Sequence, residues 1–426
     1  MLSREDNELL TRVEGDAPMG QMMRRYWVPV CLADEIVEPG GKPLRVKLFG
    51  ERLVAFRDGS GKLGLLDERC PHRLASLALG RNEDDGLRCI YHGWKFNVDG
   101  SCMDMPTEPG DKGFAQRMRV NSYPVREAGG MIWTYMGPAE TMPTFPEYDW
   151  MKLPRDRYGL MKVGENVNYA QAIEGSIDSS HSWFLHQGII WDWKLRASIS
   201  SDTSPKMVAQ DTAYGFRYAA IRVPNENPET ERYVRVTLFS VPFTAFIPRP
   251  IDKSKVAHMQ IFVPVDDVTT MFYGVFFAQD GAPLDEAEMR REHRVVPGVD
   301  LDANWFKIAN VDNWFKQDRE AMKNGSWTGI DGFTNQDMAC QESMGPIVDR
   351  TSEHLGTSDI AIIRMRRRML EAVKRFQDGQ PLIGHDPAIP WDRVRSEQLV
   401  IPRDQPWQTV GAYAGEPVPE VHASRR

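Results

Sequence analysis

Two short segments, Cys70-Pro71-His72 and Cys89-Ile90-Tyr91-His92-Gly93-Trp94, constrain this chain more than anything else in it. As a pattern they read C-x-H-x16-C-x2-H, with one cysteine and one histidine in each. The spacing suits a Rieske [2Fe–2S] centre, in which two thiolates hold one iron and two imidazoles the other. Neutral ligands in place of two anionic ones reduce the negative charge of such a cluster and raise its potential. Two cysteines and two histidines also satisfy tetrahedral zinc. Zinc fingers, however, group cysteine with cysteine and histidine with histidine, whereas each segment here carries one of each. Pro71 stiffens one loop, Gly93 lets the other turn tightly, and Trp94 can shield the group from water.

At 426 residues the chain is long enough for two or three domains with cores of their own. Its net charge of -8 argues against a nucleic-acid partner. No apolar run approaches the length of a membrane span. The start, Met1-Leu2-Ser3-Arg4-Glu5-Asp6-Asn7, is charged where a secretory leader needs an apolar core, so a cytoplasmic protein is expected. Of five cysteines, Cys31, Cys102 and Cys340 remain after the loops are assigned. Their irregular spacing is no disulfide framework, and reduced, mostly buried thiols are expected.

The first part of the chain reads as β-rich. Apolar runs at 45–49, 53–56 and 131–135 alternate with turns such as Asp58-Gly59-Ser60-Gly61 and 97–100. The two Cys/His loops interrupt this pattern as projecting hairpin tips would. Prolines 138, 143, 146 and 154 mark the exit, which divides the chain into domains 1–150 and 151–426. Beyond it, 166–186 reads as mainly helical. Strand-like runs follow at 232–239, 257–263 and 269–277, and a charged helix at 284–294. Thr357-Ser358-Asp359 starts a last helix whose apolar positions Ile362, Met365, Met369, Val373 and Phe376 share a face. Arg364, Arg366, Arg367 and Arg368 are expected on its solvated side.

Asp178-Ser179-Ser180-His181-Ser182-Trp183-Phe184-Leu185-His186 carries D-x2-H-x4-H. Histidines five apart do not share a face of a regular helix, so the helix must deform or end between them for both to reach one metal. Non-haem Fe(II) sites use two histidines, one carboxylate and open positions for O₂. The carboxylate must then come from elsewhere in the chain.

With Cys70-Pro71-His72-Arg73, Cys89-x-Tyr91-His92-Gly93-Trp94, Glu174-Gly175-x2-Asp178-x2-His181-x4-His186 and the string Asn335-Gln336-Asp337 through Glu353-His354-Leu355-Gly356, the chain resembles the oxygenase component of Rieske non-haem iron aromatic ring-hydroxylating oxygenases, in their phthalate dioxygenase-like branch. The resemblance covers most of the chain. It implies an α+β protein: a β-rich Rieske domain, then a helix-grip catalytic domain with a curved antiparallel sheet. It implies Cys70, His72, Cys89 and His92 on the cluster, and His181, His186 and Asp337 on mononuclear Fe(II). Glu342, Asp349 and Asp359 compete with Asp337 as the carboxylate and otherwise serve caps or salt bridges.

Further implications concern activity. Asp178 would bridge His181 to a cluster histidine of a neighbouring subunit in a head-to-tail trimer or hexamer. An NAD(P)H-dependent flavin/iron–sulfur reductase would supply electrons. With O₂ and an aromatic carboxylate the product would be a cis-dihydrodiol, in aromatic catabolism. The alternative is a monooxygenase, an O- or N-demethylase or hydroxylase. An anionic substrate asks for cationic or hydroxyl donors, and Arg196, Lys206, Arg249 and Ser179 are the candidates, with Arg217, Arg222 and Arg235 also lying between the two halves of the metal triad.

Overall fold

The computed structural model describes residues 1–108, 110, 113–187, 197–248, 256–278 and 283–411. The chain forms two compact units, neither contiguous in sequence. One comprises Thr11–Pro146 with Val263–Met271; the other Met1–Leu10, Glu147–Phe262 and Phe272–Arg426. Backbone bonds account for the first exchange: Phe49 and Gly50 donate to the carbonyls of Pro264 (3.0 Å) and Val265 (2.7 Å). For the second, Tyr169 donates to the Leu10 carbonyl (2.5 Å) and Arg350 to Asn7 (3.1 Å).

The unit built on Thr11–Pro146 holds three small sheets. Strands β1 (Trp27–Leu32), β9 (Val125–Ala128) and β10 (Met131–Tyr135) form one in the order β1-β10-β9, and β2 (Leu44–Leu48), β3 (Glu51–Arg57) and β4 (Leu63–Asp67) a meander. The β3–β4 turn closes on Asp58, whose Oδ1 accepts from the Lys62 amide (2.8 Å) and the Ser60 hydroxyl (2.7 Å). The third sheet is β5 (Arg81–Glu83), β6 (Gly86–Arg88), β7 (Lys95–Phe96) and β8 (Cys102–Asp104). The first Cys/His loop leaves β4, and the second is the tip between β6 and β7. Beneath both lies a core of Val54, Phe56, Leu66, Leu77, Leu87 and Phe96 that includes Cys70, Cys89 and Trp94.

The other unit is built on an eight-stranded sheet. Its strands are β11 (Tyr158–Glu165), β12 (Lys206–Thr212), β13 (Gly215–Arg222), β14 (Glu231–Ser240), β15 (Thr244–Pro248), β16 (Val256–Pro264), β17 (Thr270–Ala278) and β18 (Glu397–Pro402). The order is β11-β17-β16-β15-β14-β13-β12, with β18 also on β14. Strand β14 is long enough to pair β18 along Glu231–Val236 and β15 along Leu238–Ser240. Four helices matter here: α1 (Tyr169–Ile177), α2 (Glu286–Glu292), α3 (Phe333–Ser343) and α4 (Ile360–Gln377).

Helix α1 starts at Asn168, whose side chain accepts from the Ala170 amide (3.1 Å). It ends at Ile177, well short of the helical reading to residue 186. The cause is local. Asp178 Oδ1 accepts from the amides of Ser180 (2.7 Å) and His181 (3.3 Å), offering the backbone a turn in place of another helical bond. His181–Trp183 then form a single 3₁₀ turn.

Helix α4 corrects a second expectation. Arg367 is exposed and Arg364 partly so, as expected, but Arg366 is 3% exposed and Arg368 is also buried, so the arginine run is only in part a solvated face. Arg366 reaches Glu174 of α1 (2.7 Å) and Glu353 (2.5 and 2.9 Å), and Arg350 binds Glu174 through two nitrogens (2.9 and 3.0 Å). The stem of α1 is thus clamped by two buried guanidinium groups.

Candidate metal centres

The two N-terminal loops share one backbone plan despite different lengths between cysteine and histidine. In each, the cysteine N–H donates to the carbonyl five residues on: Cys70 to Ala75 (2.9 Å), Cys89 to Trp94 (2.8 Å). In each, the residue at the fourth position donates back to the cysteine carbonyl, Leu74 at 2.8 Å and Gly93 at 3.0 Å. That residue is left-handed in both, with φ of 61° at Leu74 and 76° at Gly93. Glycine adopts this conformation freely; leucine does so at a cost of about 1–2 kcal/mol.

The loops deliver a pair of buried sulfurs and a pair of imidazoles. The rings of His72 and His92 meet edge to face at 4.4 Å, and Trp94 stacks on His72 at 4.4 Å with planes 6° apart. The Nδ1 atoms of both histidines are buried and have no hydrogen-bond partner among the described residues. Buried ring nitrogens are ordinarily satisfied, so two orphans side by side mark a place for an electrophile. Burial first, and then Cys89, push the Cys70 thiol up to about 11. A bound metal supplies the positive charge that ionises such thiols.

In the other unit a tighter set of donors converges. His181 Nε2 and His186 Nε2 lie 3.3 Å apart, and Asp337 Oδ1 is 3.4 Å from the first and 3.1 Å from the second. Metal–nitrogen bonds of about 2.0–2.1 Å set at right angles would place neighbouring donors about 3 Å apart, so the triangle fits one face of an octahedral ion. Among the described residues this is the one group of three or more such donors within 4.8 Å of one another. The four donors of the N-terminal loops are therefore spread more widely than a single zinc ion requires, as two separate irons would have them.

Electrostatics and hydrogen bonds support the triad. Burial would raise the Asp337 pKa, but His186 and His181 hold it well below the usual carboxylate range. Burial would lower that of His181, but Asp178 and Asp337 outweigh it and raise it to about 9. The site thus calls for positive charge where an ion would sit. Gln336 Oε1 accepts from His186 Nδ1 (2.9 Å), while its Nε2 donates to Thr328 Oγ1 (2.6 Å) and the Ile330 carbonyl (3.1 Å). The amide can face only one way, so the His186 proton is held on Nδ1 and the Nε2 lone pair is freed. Asp178 Oδ2 lies 3.6 Å from His181 Nδ1. Its carboxylate therefore caps a turn with one oxygen and faces the histidine with the other.

The donors open into a cavity of about 900 Å³, its mouth included. Met161, Ile247, Phe262 and Phe272 line it, together with Ser179, Tyr218, Arg235, His258, Gln260 and His293. Ser179 is buried in the cavity lining, and its hydroxyl has no partner among the described residues. Of the other substrate candidates, Lys206 is corrected: it is exposed at the start of β12 and is not part of the described cavity wall. Arg196 and Arg249 lie outside the described residues. The competing carboxylates have backbone work. Glu342 accepts from the amides of Asn166 (3.1 Å) and Val311 (3.2 Å), Asp349 from Thr351 (3.0 Å), and Asp359 from Gly356 (2.6 Å). Sequence reasoning missed Gln336, and it missed His258 and His293, which both line the cavity. For Gln336 the available signal was its place directly before Asp337. Cys340 is exposed rather than buried, and none of the five cysteines is in a disulfide.

Known proteins agree with this architecture. Residues 26–124 match the Rieske [2Fe-2S] domain and residues 134–423 the LigXa C-terminal domain like family. The chain is 46% identical over 419 residues to the phthalate 4,5-dioxygenase oxygenase subunit of Pseudomonas putida, covering 96% of this chain and 94% of that one. It is 37% identical to the 3-chlorobenzoate-3,4-dioxygenase oxygenase subunit of Comamonas testosteroni, covering 96% and 98%. It is 34% identical to the 5,5'-dehydrodivanillate O-demethylase oxygenase subunit of a Sphingobium species, covering 91% and 85%. The solved structure of Pseudomonas putida CBB5 NdmA shares the fold, with a TM-score of 0.60 at 21% identity over 85% of this chain and 94% of that one. The chain belongs to the Rieske non-haem iron oxygenases. It is an oxidoreductase, the oxygenase component of such a system, and the cofactors of its family are a Rieske [2Fe–2S] cluster and mononuclear iron. No helix among the described residues is long and apolar enough to cross a membrane.

Proposed function

We propose that the chain cis-dihydroxylates an aromatic carboxylate of the phthalate kind, using O₂ and electrons from an NAD(P)H-dependent flavin/iron–sulfur reductase. One observation carries the reading: the His181–His186–Asp337 group borders a cavity whose described lining holds one guanidinium, Arg235, beside the apolar side chains Ile247, Phe262 and Phe272. A single cation in such a wall suits an anionic ring substrate better than a neutral one. The names of the two dioxygenase subunits, at 46% and 37% identity, support it.

In this reading Cys70, His72, Cys89 and His92 hold the cluster, and His181, His186 and Asp337 hold Fe(II), which supplies the activation of O₂. Gln336 keeps His186 in the ligating tautomer. Arg235 and Ser179 take the substrate carboxylate, while Phe262, Phe272 and Ile247 press on the ring and exclude water. Asp178 joins His181 to a cluster histidine of a neighbouring copy in a cyclic trimer or a multiple of one. The exposed apolar side chains on the loop tips, Leu74 (61%), Ile90 (58%) and Tyr91 (54%), support an interface there.

The test is a single turnover of reduced, iron-loaded protein under ¹⁸O₂ with a panel of aromatic acids. Two labelled atoms on one ring are expected. One labelled atom, or loss of a methyl group, would replace this reading by the monooxygenase one, which the O-demethylase relative favours.

A further inference from the structure

The cavity wall contains a carboxyl group that neither the metal triad nor substrate binding uses. Glu165 ends β11, lines the cavity and is 1% exposed. Its partner is the side-chain amide of Gln341 on α3, one polar atom of which lies 3.3 Å from Glu165 Oε2 and within hydrogen-bond distance of Oε1 as well. Gln341 is seated in turn by Gly175 of α1, where a Cβ would lie 2.1 Å from that amide. Two positions that the metal triad leaves unexplained, Gly175 and Gln341, therefore both serve to set a hydrogen-bonding amide against Glu165.

The charged groups that face Glu165 are Asp337 and Glu342 on α3 and Lys307. Burial first, and then the two carboxylates, raise the Glu165 pKa well above the usual range, with Lys307 opposing. Lys307 is also buried, and its ammonium donates to the backbone carbonyls of His293 (3.4 Å) and Arg294. Burial beside two further carboxylates favours the protonated form of such a group, and it borders the reacting space.

The reaction needs such a group. Dihydroxylation consumes two electrons and two protons: ArH + O₂ + 2e⁻ + 2H⁺ → ArH(OH)₂. Monooxygenation consumes the same, ArH + O₂ + 2e⁻ + 2H⁺ → ArOH + H₂O. The reductase supplies the electrons, and the protons must be delivered inside the cavity that holds the substrate. Resting on the oxygenase reading of this cavity, we propose that Glu165 is its proton donor. The Glu165 O–H bond breaks as an O–H bond forms on the oxygen being reduced. The Gln341 amide holds the carboxylate left behind, with Lys307 facing it. Solvent then returns the proton, and two such transfers balance each O₂.

Glu165→Gln keeps the size and the acceptor for Gln341 but removes the transferable proton. The first readout needs no turnover: at neutral pH the wild-type infrared spectrum should show a carboxylic-acid C=O band that the variant lacks. The second is product formed per electron supplied, expected to fall by about 10²–10⁴-fold with KM and iron content unchanged. A carboxylate rather than carboxylic-acid signature for Glu165, or a variant within about threefold of wild type, overturns the proposal. Should the variant not fold, a pH titration of the infrared band in ¹³C-glutamate-labelled wild type decides it by the same criterion. Wild type that holds both irons and forms no product would instead strike at the reading of the cavity, and the infrared result would still judge Glu165.

Discussion

Replacing Glu174 by glutamine should cost this protein more stability than its modest chemistry suggests. The side chain is nearly the same size, but the wild-type carboxylate accepts from Arg350 at 2.9 and 3.0 Å and from Arg366 at 2.7 Å, and Arg350 has no solvent exposure. The amide turns one acceptor oxygen into a donor facing a donor, so Arg350 loses one of its two bonds at this position together with the opposing charge, and keeps the neutral Asn7. Removing one partner of a buried ion pair costs about 3–5 kcal/mol. Arg366 keeps Glu353 at 2.5 and 2.9 Å, so the lower end, about 3 kcal/mol, is expected. For a unit of this size that is a fall in Tm of roughly 6–12 °C. The pH dependence follows with a definite sign. Burial would raise the Glu174 pKa, but Arg350 and Arg366 hold it below its unfolded value. The stability it contributes is complete above the unfolded pKa and is lost as pH falls through the folded one. The gap between wild type and Glu174→Gln in urea unfolding should therefore be full at pH 7 and close under acid conditions. A gap below about 1 kcal/mol at pH 7, or one that widens on acidification, would refute the reasoning.

The other predictions are local. Gln336→Leu should lower iron affinity at the mononuclear site by about 10–100-fold, measured by metal titration, because His186 loses the acceptor that sets its tautomer; Gln336→Glu should retain most of it. His186→Ala should remove the mononuclear iron on metal analysis while leaving the visible absorbance of the N-terminal cluster unchanged. Leu74→Gly should raise the melting temperature of the N-terminal unit slightly, since it relieves a left-handed leucine worth about 1 kcal/mol. Gly93→Ala should lower it by more, because the added Cβ at φ 76° would lie 2.7 Å from the Pro106 ring.

Some of this was open to reading along the chain and some was not. The paired Cys/His loops were legible because ligand chemistry restricts both residue type and spacing. The histidines of the second site were legible as a pair, and the spacing correctly demanded a break in the helix. The place of the break was not: it depends on Asp178, whose side chain takes the amides of Ser180 and His181 away from the helix. The arginines of α4 misled because charge predicts solvent only when no buried carboxylate awaits it, and Glu174 lies 192 residues from Arg366. Lys206 misled in the opposite way, since cationic character says nothing of which face of a strand a residue occupies.

By itself, then, the sequence determined the donor types and their order, because these follow from local spacing, while the β-rich to α+β succession was implied by the family resemblance. Tertiary structure decided what no local pattern contains: that Asp337 completes a triangle with His181 and His186, that Gln336 orients one of them, that Arg235 and Glu165 share a cavity with them, and that buried arginines clamp the helix stem. The triangle, the Gln336 contact and the arginine clamp each join residues more than a hundred positions apart. They exist only once burial has removed water, so that each polar group must find its partner within the fold.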